Sequence, residues 1–177
     1  MLFHKLSLYS FLAVIAASPI TCLADAEKAV AGVNIFASNL REAHQALQSY
    51  GDGQVTGYTV AKKFDHAHRS AKKANLQLRE AGPLSAPDAR KVVDAYNQLQ
   101  PETLGVLRTV SEKATSMKSK VGVAYVAQGI VGNFQDENNA FHDTLRQNLP
   151  KDQQESLSPN MSKVDSAFTD TRKAIDV

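Results

Sequence analysis

Residues 121–134, VGVAYVAQGIVGNF, form the stretch that decides the fold. The stretch carries no charged side chain and only two amide side chains. It is too short to span a bilayer, which takes about 20 apolar residues. A helix that is apolar nearly all round is typical of the middle of a helical bundle, where other helices cover it on several sides. Its small residues either let neighbouring helices approach closely or leave unfilled space, and they are Gly122, Ala124, Ala127, Gly129 and Gly132.

Three helices are predicted before this stretch, because apolar residues recur there at three-to-four spacing. The first covers residues 25–50, and the second ends before Gly82-Pro83, a pair that stops a helix. The third starts at Ser85, whose hydroxyl suits the capping position. Its apolar stripe keeps phase across Pro101, which favours one long helix kinked at that proline.

The central helix is expected to follow a break near Gly122 and to continue to Leu149, where Pro150 ends it. Residues 152–157 are expected to form a short turn, and Pro159 to open a last helix. No segment shows the alternating pattern of a strand. The sequence therefore predicts an all-α fold, a bundle of four or five helices.

Residues 1–24 are predicted to be a secretory signal peptide. A short basic start is followed by the apolar run Leu6–Ala17, a helix breaker, and small residues at the spacing that signal peptidase reads. Cleavage is expected after Ala24, with cleavage after Ala17 or Ala26 as the alternatives.

The remaining domain, residues 25–177, is expected to be a single exported unit without a disulfide, since Cys22 is the only cysteine and leaves with the signal. The whole chain carries 20 Lys and Arg against 18 Asp and Glu, with the two signs interleaved. No polybasic block points to nucleic acid or to an anionic membrane. No stretch of the mature domain is apolar for long enough to span a membrane.

Motifs for catalysis or metal binding are not found in the sequence. His66 and His68 resemble a metal pair, but residues two apart on a helix point about 200° from each other, so the two imidazoles do not converge on one ion. No Gly-x-Ser-x-Gly elbow, phosphate-binding glycine loop or Cys/His pair occurs. We therefore expect no enzyme activity, no cofactor and no metal.

The mature chain resembles the fungal hydrophobic surface-binding protein A family, which includes the cell-wall galactomannoproteins. The resemblance is carried by a secretory signal that runs straight into the first helix and by three short matches: Gly82-Pro83-Leu84-Ser85 before the third helix, Leu99-Gln100-Pro101 with Leu104 and Leu107 beyond it, and Ala167-Phe168 in the last helix. It covers nearly the whole mature chain as a pattern of small and apolar positions.

The resemblance implies a secreted helical bundle that performs no catalysis and binds a long-chain fatty acid or a similar lipid in its interior. It also implies two alternatives. One is an adaptor that adsorbs to hydrophobic surfaces and recruits a secreted esterase or cutinase; the other is a structural cell-wall mannoprotein. The chain ends at Asp176-Val177, directly after the last predicted helix, with no Ser/Thr-rich stalk or lipid-anchor signal. We therefore expect free secretion rather than attachment to the cell wall.

The apolar interior has two interpretations, an ordinary packed core or a tunnel along the bundle axis. Helices of about 25 residues are about 37 Å long, which is enough to enclose an acyl chain. A cavity left by the small residues of the central helix would take up apolar ligands. The candidate lipid-binding residues are Phe36, Leu40, Phe64, Leu107, Met117, Tyr125, Val126, Gln128, Gly129, Ile130, Phe134, Phe141 and Phe168.

Two further assignments concern polar groups. A fatty-acid carboxylate needs a partner, and Tyr125 or Gln128 on the central helix is a candidate donor, with Lys118 and Lys120 at the same end as sources of charge. Asn160 lies in the only N-glycosylation sequon, Asn160-Met161-Ser162, which is predicted to sit at the start of the last helix.

Overall fold

The computed structural model describes residues 19–51, 55–120 and 122–176. These residues contain five helices and no strand, which confirms the predicted all-α bundle. The helices are α1 (Pro19–Gln48), α2 (Gly57–Ala81), α3 (Ala86–Lys118), α4 (Val123–Asn148) and α5 (Lys151–Ile175).

The five helices form a closed ring. Going round it, α1 packs on α2, α2 on α4, α4 on α5, α5 on α3, and α3 on α1, while α3 and α4 touch only slightly across the centre. Successive hydrogen bonds between helices give the directions. The partners on α3 advance from Glu102 to Thr109 as α1 advances from Arg41 to His44, so these two helices are parallel. In the same way α5 is parallel to α3, through Gln100–Asn160 and Ser111–Thr171, and antiparallel to α4, through Gln128–Ile175 and Asn138–Asp165. Thus α1, α3 and α5 run one way, and α2 and α4 run the other way.

A ring of five helices leaves space at its centre. Packed helix axes lie about 9 Å apart, so five axes in a ring lie about 8 Å from the middle. A helix with its side chains has a radius of about 5–6 Å, which leaves a central channel of about 2–3 Å in radius. This space arises from the arrangement of the helices and not from small residues on one of them.

The helix ends follow local sequence rules. The Thr56 hydroxyl accepts a hydrogen bond from the Thr59 backbone at the start of α2, and the Ser85 hydroxyl does the same for Asp88 at the start of α3, which confirms Ser85 as the cap. Gly82 and Gly122 have φ of 63° and 78°, a left-handed region that side chains disfavour. These two glycines let the chain turn after α2 and before α4.

The prolines inside helices were predicted with mixed success. Pro101 lies within α3, which confirms a single long helix there. Pro159 also lies within a helix, so the predicted turn over residues 152–157 and the predicted helix start at Pro159 are wrong. Helix α5 begins at Lys151, because Leu157 is buried in register with Met161 and Val164 and the apolar stripe continues N-terminal to the proline.

Other helices cover the described part of the 121–134 stretch on several sides, since α4 packs on α2 and α5 and touches α3, but they do not cover it all round. In the ring, the first half of α4 keeps one face open to solvent: Tyr125 is 68% exposed and Val126 is 55% exposed.

None of the described helices is long and apolar enough to cross a membrane. The predicted signal peptide falls largely on residues 1–18, which lie outside the described residues.

Candidate functional site

An apolar cavity occupies the centre of the ring, and all five helices contribute to its wall. We call the end of the bundle where α2 and α4 begin the upper end. The cavity starts there, beside Gly57 and Val123, and continues to Tyr96 and Phe141, near the middle of α3 and beyond the middle of α4. From Val123 to Phe141 the wall extends about 27 Å along α4. The cavity volume is about 100 Å³, several times the roughly 10–15 Å³ that one water needs.

The wall is almost entirely hydrophobic. Among the described residues that line it, Glu137 is the one charged side chain. The other polar members of the wall are Tyr50, Tyr96, Gln100, Thr103 and Asn138. An apolar space of this kind favours apolar ligands over water.

Most of the predicted site residues lie in this wall. Ten of them surround the cavity, from all helices of the ring: Phe36, Leu40, Phe64, Leu107, Met117, Val126, Ile130, Phe134, Phe141 and Phe168. The structure thus brings together side chains that are up to 132 residues apart in the sequence, between Phe36 and Phe168.

Three predicted site residues lie outside the wall. Tyr125 points to solvent, and Gly129 is exposed with nothing within 4 Å of the position its Cβ would take. Gln128 donates a hydrogen bond to the Ile175 carbonyl at 3.0 Å and so joins α4 to α5. The prediction that Gly129 and Gly132 create the cavity by their lack of side chains is therefore wrong, because neither residue faces the cavity. Of the small residues of the central helix, Ala127 does line the wall.

Aromatic side chains from three helices meet halfway down the cavity. The Phe134 ring lies 6.3 Å from that of Phe36 and 5.9 Å from that of Phe64, between ring centres. His68 packs on the same ring at 5.5 Å, and burial lowers the pKa of His68 below its ordinary value. The His68 imidazole therefore packs beside the cavity.

A buried polar cluster lies at the lower end of the cavity. The Tyr96 hydroxyl is 2.8 Å from His142 Nε2, and His142 Nδ1 is 3.3 Å from an Asp165 carboxylate oxygen. Asn138 donates to the same oxygen at 3.0 Å. A neutral His142 with its proton on Nδ1 satisfies these contacts, so that Nε2 accepts the hydrogen bond that Tyr96 donates.

Burial sets the protonation states in this cluster. It lowers the pKa of His142, and the Asp165 carboxylate opposes this effect only in part. Burial, helped by the charge of Asp165, raises the pKa of Tyr96. Both groups are therefore neutral near pH 7.

The polar part of the wall is not among the predicted site residues. Tyr96 and Thr103 belong to the apolar stripe of α3, so their inward position had a signal in the helical period. Glu137 and Asn138 lie in the polar run QDENN, which has the composition of a solvated helix face. Nothing in that run marks the two side chains that turn inward.

Asn160 lies within α5 and not at its start. Its side-chain amide donates a hydrogen bond to Asn97 on α3 at 3.0 Å. Glycosylation of Asn160 stays a prediction.

A family model described as hydrophobic surface binding protein A matches residues 26–147. No curated protein sequence matches the chain. Among solved structures, the chain is similar to Afmp4p in complex with palmitic acid, at 14% identity and a TM-score of 0.79, over 85% of this chain and 99% of that chain.

Two domains of the Penicillium marneffei MP1 protein are similar as well. Ligand-binding domain 1, complexed with arachidonic acids, has 10% identity and a TM-score of 0.75, over 88% of this chain and 99% of that chain. Ligand-binding domain 2, complexed with multiple arachidonic acids, has 11% identity and a TM-score of 0.65, over 91% and 98%. At such identities the likeness shows a shared fold.

Proposed function

The chain belongs to the hydrophobic surface binding protein A family, and we propose that it is a secreted lipid-binding protein that holds a long-chain fatty acid or a similar lipid in the central cavity. The observation that carries this proposal is the apolar cavity at the centre of the ring, with one charged side chain among the described residues of its wall.

The dimensions of the cavity support an acyl chain as the ligand. The hydrocarbon core of a bilayer is about 30 Å thick, so one acyl chain extends about 15 Å. The wall from Val123 to Phe134, above the polar groups at the lower end, extends about 16 Å along α4. The narrow channel of a five-helix ring suits one unbranched chain better than a globular ligand.

Burial of the acyl chain of the ligand supplies the binding free energy. Each methylene transferred from water contributes about 0.8 kcal/mol, so ten methylenes contribute about 8 kcal/mol. Before the cost of immobilising the ligand, that free energy corresponds to a dissociation constant of about 1 μM. Burial of the acyl chain alone therefore supplies a free energy on the scale of micromolar binding, and the cost of immobilising the ligand reduces it.

The solved structures of similar fold support the same ligand class. Palmitic acid and arachidonic acids are the molecules bound in those structures, and both are long-chain fatty acids. A shared five-helix ring offers such chains the same kind of central space.

The proposed role involves no catalysis. The hydroxyl in the wall that touches a possible base is that of Tyr96, and its raised pKa makes it a poor nucleophile. The protein would store or carry the lipid, and secretion would follow from the predicted signal peptide.

Native mass spectrometry of the chain from Asp25, expressed and purified without detergent, tests this function. We expect a one-to-one adduct with palmitate and a rise in thermal stability, because a ligand that binds only the folded state stabilises it by about 2.7 kcal/mol at a concentration of 100 times the dissociation constant. A clean ligand-free mass at saturating palmitate, with an unchanged melting temperature, would refute the proposal.

Adsorption to hydrophobic surfaces is the second candidate, and the exposed apolar side chains favour it. Tyr58 lies in the first turn of α2, and Tyr125 and Val126 lie in the first turn of α4, so three exposed apolar residues lie at the upper end. An adaptor of this kind would adsorb to hydrophobic beads through these side chains and recruit a secreted esterase. The double change Tyr58→Ser and Tyr125→Ser, which leaves the cavity residue Val126 in place, should abolish adsorption if this surface is responsible, and equal adsorption by the variant and the wild type would exclude it.

A further inference from the structure

We propose that a bound fatty acid lies with its carboxylate at the upper end of the cavity, beside Lys120 and the hydroxyl of Tyr50, and with its methyl end pointing down towards Phe134. This inference rests on the proposed function and specifies the orientation of its ligand. The two ends of the cavity offer different groups to a carboxylate.

The lower end is unsuited to a carboxylate. Glu137 lines the wall there, and Asp165 lies directly behind Asn138 and His142. Two acidic groups would repel a third carboxylate and raise its pKa, and the apolar wall would remove its hydration.

The donors near the lower end are already engaged. Tyr96 donates to His142, and Asn138 donates to Asp165. Higher in the wall, Thr103 donates to the Leu99 carbonyl and Gln100 donates weakly to the Asn160 carbonyl at 3.5 Å. A carboxylate at this level would have to break an existing hydrogen bond to gain a new one, with little net gain.

The upper end offers a cation at the rim of the cavity. The Lys120 ammonium nitrogen lies 4.8 Å from the centre of the Tyr50 ring, a cation–π distance, and that ring lines the cavity. A Cβ built on Gly57, at the mouth, would lie 3.9 Å from the Tyr50 hydroxyl oxygen. The phenol and the ammonium group therefore share the rim where α2 begins.

A second lysine holds this rim in place. Lys113 donates to the backbone carbonyls of Gln48 and Tyr50, at 3.2 and 2.9 Å. Its ammonium group thereby caps the last carbonyl of α1 and also holds the backbone that carries the Tyr50 ring. Lys113 is engaged in the fold, and Lys120, which is exposed, is the cation that can turn to a ligand.

The length of the wall agrees with this orientation. An acyl chain of about 15 Å that starts at the rim beside Val123 ends near Phe134. Its terminal methyl group then meets the aromatic side chains around Phe134 and stops before Glu137 and Asn138. In the opposite orientation the carboxylate would lie against those polar, acidic groups and the methyl end in water.

The test compares palmitate with its uncharged methyl ester in variants that change one lysine. Lys120→Glu should weaken palmitate binding about tenfold, since an exposed ion pair contributes a factor of about two to five and the variant adds repulsion of similar size. The same variant should bind methyl palmitate within about twofold of the wild type. Lys118→Glu makes the same charge change on an exposed neighbour and should leave both affinities within about twofold of the wild type.

Three results would overturn the inference in distinguishable ways. Equal effects of Lys120→Glu and Lys118→Glu on palmitate would mean that only general charge matters. Equal weakening of palmitate and its ester by Lys120→Glu would mean that the change distorts the mouth. If the wild type binds neither ligand, the proposed function itself fails, whereas wild-type binding of both ligands keeps the function and leaves the orientation to be decided by the lysine variants.

Discussion

Filling the cavity from its wall should separate lipid binding from folding. Ala127 on α4 lines the cavity, and Leu at this position adds three carbon atoms to the space that the ligand occupies. Three displaced methylene equivalents at about 0.8 kcal/mol each remove about 2.4 kcal/mol of binding free energy. The palmitate affinity of Ala127→Leu should therefore fall about fiftyfold.

The stability of the ligand-free protein should change in the opposite direction or not at all. The added side chain occupies empty space, so the overpacking cost of about 1–3 kcal/mol in a filled core does not arise. Leu and Ala also differ little in helix propensity. Urea denaturation of the ligand-free protein should give a free energy of unfolding at least equal to that of the wild type.

Ala140→Leu is the matched control, because it makes the same substitution on the same helix at an exposed position. Its palmitate affinity, measured by isothermal titration on delipidated protein, should stay within about twofold of the wild type. Ala61→Leu repeats the test from α2, on another side of the cavity. If folded Ala127→Leu and Ala61→Leu bind palmitate with wild-type affinity, the lipid does not occupy this cavity. If both variants lose stability, the wall has no free space for the added side chains. Either result would refute the interior lipid site.

Three further predictions concern stability and are measured by urea denaturation. Tyr96→Phe leaves the buried His142 Nε2 without its hydrogen-bond donor and should lower the free energy of unfolding by about 1–3 kcal/mol. Tyr58→Phe, at a side chain that is 78% exposed, should change it by less than about 0.5 kcal/mol. Equal effects of the two variants would mean that the buried hydrogen bond does not stabilise the fold. Because the pKa of His142 is lowered in the folded state, the unfolded state takes up the proton first as the pH falls, and the free energy of unfolding should decrease below about pH 6.5. His142→Gln should make this decrease smaller. The same pH dependence in the variant and the wild type would contradict a buried, neutral His142. Gly122→Ala should destabilise by about 1–2 kcal/mol because its φ is left-handed, while Gly129→Ala on the exposed face of α4 should stabilise by up to about 1 kcal/mol; changes of the same sign would refute this distinction.

The sequence predicts the helices well because their signals are local. The cap at Ser85, the left-handed Gly82 and the phase of the stripe across Pro101 each depend on a few neighbouring residues. The start of α5 was predicted wrongly at Pro159, because a proline occurs at the first turn of a helix more often than in its interior. The buried Leu157, one helical turn before Met161, was the signal that α5 starts earlier.

The sequence does not predict which face of α4 points inward, because the 121–134 stretch is apolar nearly all round. The structure divides it into Val123, Ala127 and Ile130, which line the cavity, and Tyr125 and Gly129, which face solvent. Only the order of helices around the ring decides between these faces, and that order depends on contacts across the whole chain. The cavity likewise follows from the number of helices in the ring.

The polar end of the cavity could not be predicted for the same reason. Tyr96, His142 and Asp165 come from three helices, and each has a neighbourhood typical of an ordinary helix surface or core. Their juxtaposition depends on the registers of α3, α4 and α5 along the bundle axis. No spacing within any one helix encodes it.

Intermolecular nuclear Overhauser effects between bound palmitate and the methyl groups of the protein test the central claim most directly. With labelled Ile, Leu and Val methyl groups in a deuterated protein, the acyl chain should show contacts to Ile130, Val131 and Leu40, which line the cavity. It should show none to Ile35 and Leu76, which are 52% and 53% exposed on α1 and α2. Contacts to the exposed pair without contacts to the cavity wall would mean that lipid adsorbs to the surface, and would contradict an interior lipid site.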